Sequence, residues 1–237
     1  MIILRELVSA GSACAAGGFL SWAAVAPSSQ IFGPTVRHTG DPAAIALTFD
    51  DGPNPKITPP LLDLLDTHQV VATFFVIGKW AEMDLGLTRE IAARGHVVAN
   101  HTYTHPRLAL CSSGKIAKEL RRCDDAIESA TGRRPRWMRP PYGYRSPLVA
   151  RVVRDRGDAG IVMWSVAARD WKIQPSAKLI DRLRRVRGGD IVLLHDGDAR
   201  NREGDRQHVL DGLSHWLPRW KDAGMRFATV QVIPSSN

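Results

Sequence analysis

The sequence predicts an α/β protein built around parallel strands. About seven short apolar runs alternate with helix-like stretches, and alternation of this kind implies parallel pairing through helical crossovers. Two of the runs are strong strand signals: Ala72–Val76 (ATFFV) is β-rich, and Ile191–Leu194 (IVLL) reads as a buried strand. The chain's 237 residues, 44% hydrophobic and 24% charged, suffice for one large domain with a full core. That composition excludes a disordered chain, a coiled coil and a multi-span membrane protein. The alternation leaves two architectures open, an open doubly wound sheet and a closed or distorted barrel.

In chain order, Ile45–Thr48 is the first strand and ends at a Gly-Pro turn. Thr58-Pro59-Pro60 opens a helix, with threonine as cap, proline in the first turn, and Leu61, Leu62, Leu64 and Leu65 behind it. Ala72–Val76 is bounded by Gly78, and a helix follows to Arg94 with Gly95 as its stop. Val97–Ala99 is a short strand, and Ser113 to Ala130 is helical as far as Gly132. Trp137–Arg139 is a strand before Pro140-Pro141, Ser146-Pro147 starts a helix to Arg156, and Ile161–Trp164 is the next strand. Ser176 starts a helix to Arg187 with Gly188-Gly189 behind it. After Ile191–Leu194, a helix covers His208 to Ala223, and Phe227–Val230 is the last strand.

Ahead of these elements the chain changes character. Residues 27–43 read as a linker with little periodicity. From Leu7 to Ala26 there is no charge, and the segment is about long enough to span a bilayer. Its Ala, Gly and Ser content keeps its hydropathy moderate. It reads as a secretory signal or an uncleaved membrane anchor, which puts the rest of the chain in the cell envelope or outside the cell. Ala24-Val25-Ala26 has the small residues of a cleavage site, but Pro27 disfavours processing there. An Ala-rich helix packed on the domain is the remaining reading.

The formal charge is +8, with arginines concentrated at 133, 134 and 136 and again at 182, 184, 185 and 187. Such a balance suits an anionic partner. No basic run is interleaved with aromatics, so nucleic acid is not expected, and a solvated basic face is the preferred reading. Cys14, Cys111 and Cys123 include no CxxC pair, so a thiolate zinc site is not indicated and buried free thiols are expected. No GxGxxG follows the first strand, so dinucleotide binding is not indicated.

The polar residues of interest fall just after the carboxyl ends of the predicted strands. Asp50 and Asp51 follow the first, His101 and His105 the third, and Arg139 ends the fourth. Asp170 and Trp171 follow the fifth, and His195 and Asp196 end the sixth. That edge carries the active site in parallel α/β proteins. Each piece alone is weak: Asp-Asp-Gly-Pro is more often a turn, and Trp171 alone reads equally as core. The i, i+4 spacing of His101 and His105 puts two imidazoles on one face of a helical turn, able to meet one ion. Thr102 stands where a HExxH protease has its glutamate, so that reading fails. Asp51, His101 and His105 would form a two-histidine, one-carboxylate ligand set, suited to zinc hydrolysis or to non-haem iron oxygen chemistry. Asp50 and His195 have tasks only in the hydrolase.

Five segments in order carry a resemblance. TFDDGPNP (Thr48–Pro55), HTYTH (His101–His105), RPPYG (Arg139–Gly143), RDW (Arg169–Trp171) and LLHDG (Leu193–Gly197) resemble the motifs of the polysaccharide deacetylases. These are carbohydrate esterase family 4, or NodB-homology, enzymes. ATFFVIG (Ala72–Gly78) is similar as well, and the likeness covers about residues 44–231. The resemblance implies a distorted (β/α)7 barrel, here with an N-terminal hydrophobic segment before a catalytic domain over 44–237. It implies removal of N-acetyl groups from chitin oligomers or peptidoglycan, with an O-acetyl esterase as the alternative within the class and a disabled sugar-binding module outside it.

The resemblance also implies roles. Asp51, His101 and His105 match the ligands of a divalent metal, Zn²⁺ first and Co²⁺ or another ion as alternatives. Asp50 matches the base that takes a proton from water, and Arg139 the partner that orients it and holds its pKa down. Tyr142 matches the residue whose backbone N–H helps hold the oxyanion. His195 matches the acid that protonates the departing amine, and Asp170 its partner. Trp171 and Leu193 match the apolar walls around the acetyl methyl. One position departs from the pattern: Ala167 stands where the family often has an aspartate, which bears on the support around Asp170.

Overall fold

Among the described residues nine strands make one sheet in which every strand pair is parallel. They are β1 (Thr35–Val36), β2 (Ala44–Asp50), β3 (Thr73–Val76), β4 (Val97–Asn100), β5 (Trp137–Met138), β6 (Gly160–Val162), β7 (Val166–Ala167), β8 (Ile191–His195) and β9 (Arg226–Phe227). The structure is a computed structural model and describes Gly18 and residues 22–230. The strand order is β1-β6-β5-β4-β3-β2-β8-β7, with β9 on the first residues of β2. The helices are α1 (Thr58–Thr67), α2 (Gly78–Met83), α3 (Leu85–Ala93), α4 (Ser113–Thr131), α5 (Pro147–Asp155), α6 (Ser176–Leu183) and α7 (Gln207–Asp222).

Chain length forces this sheet to curl. The path from β6 to β7 crosses six strand spacings, roughly 29 Å if flat at ~4.8 Å each. Yet Val162 and Val166 are four residues apart and reach at most about 14 Å. The two ends of the sheet must therefore approach one another. The core divides accordingly. Ala46, Phe75, Ala99, Trp137, Val162 and Ile191, each from a different strand, form one cluster inside the curl. Leu47, Phe49, Phe74, Val76, Val192 and Leu194 belong to the larger cluster, with Leu61, Leu62 and Leu65 of α1 and Leu213 and Leu217 of α7. Side chains alternate along a strand, so Thr48 and Asp50 share the inner face with Ala46.

Seven strands match the sequence reading, and their boundaries shift by a few residues. Strands β1 and β7 lie outside it because each is only two residues long, too short for any pattern. The helix expected up to Arg94 is two helices, because the Asp84 carboxylate accepts the Leu87 N–H at 3.0 Å and caps α3. Helix α6 ends at Leu183, and the basic run after it is not helical. Cys123 is buried, whereas Cys111 is half-buried.

The stretch read as a linker is seated on the domain. Strand β1 pairs with β6, His38 bridges Asp190, and Thr39 N–H donates to Gly189 O at 2.9 Å. Buried Arg145 donates to the carbonyls of Ala23, Ala26 and Ser29, fixing the end of a helical turn at 22–25. The rest of the charge-free segment lies outside the described residues, apart from Gly18. Among the described residues no helix is long and apolar enough to cross a membrane. A Cβ on Gly188 would lie 2.0 Å from Pro42 O. Gly188→Ala is therefore expected to cost about 1–3 kcal/mol of stability, read from denaturant unfolding. An unchanged midpoint would mean that residues 40–44 do not pack there.

Candidate active site

Strand ends and tight loops bring the candidate residues to one edge. Asp50 is the last residue of β2, His101 follows β4, Arg139 follows β5 and His195 ends β8. The backbone there is strained. Among the described residues six non-glycines have positive φ, and Asp51 (71°), Thr102 (68°), His105 (59°), Tyr142 (60°) and Arg169 (55°) are five of them. Left-handed conformations concentrate where surrounding structure over-determines them, as at functional sites.

Asp51, His101 and His105 place one ligand atom each within 4.8 Å of one another. His105 Nε2 is 3.2 Å and His101 Nε2 3.5 Å from Asp51 Oδ1. The two imidazoles converge by a different route from the expected helical turn, since residues 101–105 are a non-helical loop. Asn100 Oδ1 accepts from Thr102 N–H at 2.8 Å, and Thr102 Oγ1 from His105 N–H at 3.1 Å. Glu119 of α4 takes both the N–H and the hydroxyl of Thr104, at 2.8 and 2.9 Å.

The donor set fits a cation. His101 Nδ1 lies 2.8 Å from Arg139 O, so that nitrogen carries the hydrogen and Nε2 keeps its lone pair toward Asp51. Burial lowers both imidazoles to about 3, so both are neutral, as ligands must be. Asp51 Oδ1 is buried without a hydrogen-bond donor, and burial raises that carboxyl to about 7. Asp50 and Asp196 are buried and raised beside it. A cation meets the need that the protein leaves there.

Asp50 is tied to Arg139, which is wholly buried. Arg139 Nη1 donates to Asp50 Oδ1 and to Thr48 Oγ1, each at 2.8 Å. Nε and Nη2 donate to Val162 O and Met163 O at 3.2 and 3.0 Å, so the guanidinium ties β2 to β6 across the curl. The expectation that Arg139 holds the Asp50 pKa down is met in sign only. Burial outweighs the arginine, and among the protein's own groups the carboxyl sits above its ordinary value.

Asp170 grips His195 twice: Oδ2 accepts the His195 N–H at 2.7 Å and Oδ1 faces Nδ1 at 2.9 Å. Burial lowers the imidazolium, but Asp170's charge and hydrogen bond outweigh it and raise His195 to about 9. Ala167 lies on β7, and Asp170 is supported instead by the His195 backbone and by His208 Nε2, 3.0 Å from Asp170 O. The Trp171 ring is 6.1 Å from that of His195 and nearly half exposed, and the Tyr142 ring is 4.7 Å from that of His105. Leu193 is buried on β8 two residues before His195, hence on the same face.

Sequence reading missed the residues that hold these groups: Thr48, Asn100, Glu119 and His208; Asp196, which it placed beside His195, is buried next to them. Asp196 Oδ2 accepts from Thr58 Oγ1 at 2.5 Å, and a Cβ on Gly52 would meet that oxygen at 2.3 Å. Asn100 and Thr48 adjoin or begin recognisable segments. Glu119 and His208 carry no local signal.

A polysaccharide deacetylase family model matches residues 37–160. A chitooligosaccharide deacetylase of Sinorhizobium fredii is 41% identical over 198 residues, covering 80% of this chain and 92% of that protein. A solved structure of the peptidoglycan N-acetylglucosamine deacetylase Bc1960 is 33% identical with a TM-score of 0.76, covering 82% of this chain and 89% of the other. A Bacillus anthracis protein described as a CE4 family pseudoenzyme, BA3943, is 27% identical with a TM-score of 0.75, covering 84% of this chain and 68% of that one.

Proposed function

We propose a reaction from one premise, that the chain belongs to the polysaccharide deacetylase family: it hydrolyses the N-acetyl group of N-acetylglucosamine units in an oligo- or polysaccharide. One observation carries the reading. A neutral-imidazole and carboxylate set, an arginine-held carboxylate and an aspartate-held imidazole meet at one edge of the sheet. A family fold alone does not guarantee activity, and a disabled module would need none of these three groups intact. In this reading the curled sheet is the distorted (β/α)7 barrel, with the catalytic unit over 44–237.

Asp51, His101 and His105 would hold a divalent metal, Zn²⁺ by its liking for such donors, with Co²⁺ able to replace it. When bound, such an ion polarises the acetyl carbonyl and acidifies a water. Asp50 takes a proton from the attacking water at the carboxylate that Arg139 orients. The Tyr142 N–H helps hold the oxygen of the tetrahedral intermediate. His195 delivers a proton from Nε2 to the sugar nitrogen as the C–N bond breaks, leaving acetate and a free amine. Asp170 fixes Nδ1 and favours the imidazolium. Trp171 and Leu193 line the methyl group.

The test is acetate release from a panel of chitin oligomers, peptidoglycan and acetyl-xylan. Release from the N-acetylated substrates without oxygen uptake is expected, and release from acetyl-xylan alone would replace this reading by the O-esterase. Chelation is expected to abolish release and leave far-UV circular dichroism nearly unchanged, because the ligands sit on loops beyond a full core. Unfolding on chelation would contradict this.

The charge-free segment from Leu7 to Ala26 supports an export signal or membrane anchor and a place in the cell envelope. A reporter active only after export, fused after Pro27, is expected to become active. A soluble, inactive cytoplasmic fusion would sink the idea.

A further inference from the structure

We infer that the opposite end of the sheet holds a second site, which takes a small organic anion: a phosphate or carboxylate carried on a sugar-sized body. A cavity of about 500 Å³ opens there, where β4 and β5 begin. Arg89 of α3 and Arg133, Arg134 and Arg136, which follow α4, line it together with His96 and Trp137. None of its lining residues is an aspartate or glutamate. This end is distinct from the catalytic edge. Val97 begins β4 and His101 follows its last residue, about 13 Å away at ~3.3 Å per residue.

The lining is more than a solvated basic face. Arg134 is paired with Asp124 at 2.8 Å, and Arg89 Nε donates to Ala130 O at 3.0 Å, so these two are held in place. Arg133 and Arg136 are exposed in the same lining and take part in no ion pair among the described residues, which leaves their guanidinium groups for a ligand. His96, in the same lining, is 5% exposed. Its Nδ1 accepts the Ala72 N–H at 3.2 Å, so Nε2 carries the ring hydrogen. That Nε2–H is buried with no acceptor, a state that folded proteins rarely leave unexplained. Asp124 offsets Arg134 from outside the lining, and Asp66 acts on His96. The remaining guanidinium groups and the unmet donor, with no acid in the lining itself, still make a field for an oxyanion, and the guanidinium fork matches phosphate or carboxylate oxygens.

Size selects among anions. The volume lies within the range of small-molecule sites and is far larger than one inorganic ion needs. Trp137, Val97, Val98, Ala92 and Ala93 supply an apolar wall for the body of such a molecule.

Calorimetric titration of the full chain tests this, at about 0.15 M salt to screen diffuse attraction. The probes are glucose 6-phosphate, glucuronate, inorganic phosphate and glucose. At least one of the two sugar anions is expected to saturate a single site, more tightly than inorganic phosphate, while glucose does not. The double variant R133Q/R136Q is expected to weaken that binding roughly tenfold or more, without loss of circular dichroism or of acetate release. No saturation by either sugar anion at about 10 mM overturns the site. So does unchanged binding by the double variant. Equal binding of glucose removes the anion from the proposal, and equal or tighter binding of inorganic phosphate removes the sugar-sized body.

Discussion

Asp50→Asn is expected to keep the metal and lose turnover by roughly 10²–10⁴-fold, the usual contribution of a positioned base. The amide oxygen can still accept from Arg139 Nη1, which meets Oδ1 at 2.8 Å, so the local geometry has reason to survive. What the amide cannot do is accept a proton. Asp51→Asn has the opposite signature, because Asp51 Oδ1 is the carboxylate oxygen that faces both imidazoles, at 3.2 and 3.5 Å. Replacing it removes a negative ligand and is expected to weaken metal binding strongly, with turnover recovering in excess metal. The check is metal content measured beside kcat for the two variants. Metal lost from Asp50→Asn and kept by Asp51→Asn would reverse the assignment of the two neighbours.

The pair was legible in sequence, and the reason is geometric. Side chains alternate along β2, so Ala46, Thr48 and Asp50 face the inside of the curl, and residues just after a parallel strand reach its carboxyl edge. Five short segments therefore pointed to one place. Long-range support was not legible. Glu119 lies 15 residues from Thr104 and His208 lies 38 from Asp170, on helices whose sequence reads as ordinary surface and core. Convergence of His101 and His105 was legible, but its mechanism was not. The i, i+4 spacing suggested a helical turn, whereas left-handed residues 102 and 105 bend a loop to the same end. The seating of residues 27–43 was hidden for another reason. A two-residue strand and carbonyls bonded to a distant arginine leave no periodicity to read.

His195→Ala is expected to lower kcat on an N-acetyl substrate by roughly 10²–10⁴-fold, the range for general-acid catalysis. The leaving group sets the need for an acid. An amine anion is too basic to depart unprotonated, whereas 4-nitrophenolate departs without help. The variant is therefore expected to hydrolyse 4-nitrophenyl acetate at close to the parent rate, which a misfolded protein would not do. The pH profile supplies a second reading. Burial lowers the His195 pKa, but Asp170 outweighs it and raises it to about 9, with smaller help from Asp51 and Asp50. A cation bound at Asp51 offsets that smaller help, so the alkaline limb of kcat is expected at or below about pH 9. The sign follows from linkage. A raised folded-state pKa means that the charged pair contributes its full stability below about pH 6.5 and loses it as pH rises through about 9. Asp170→Asn removes the carboxylate 2.9 Å from Nδ1 and leaves burial to act, so the alkaline limb must move toward acid. An alkaline limb that stays in place in Asp170→Asn would separate His195 from it. Near-normal kcat of His195→Ala on the amide would end its role as the acid.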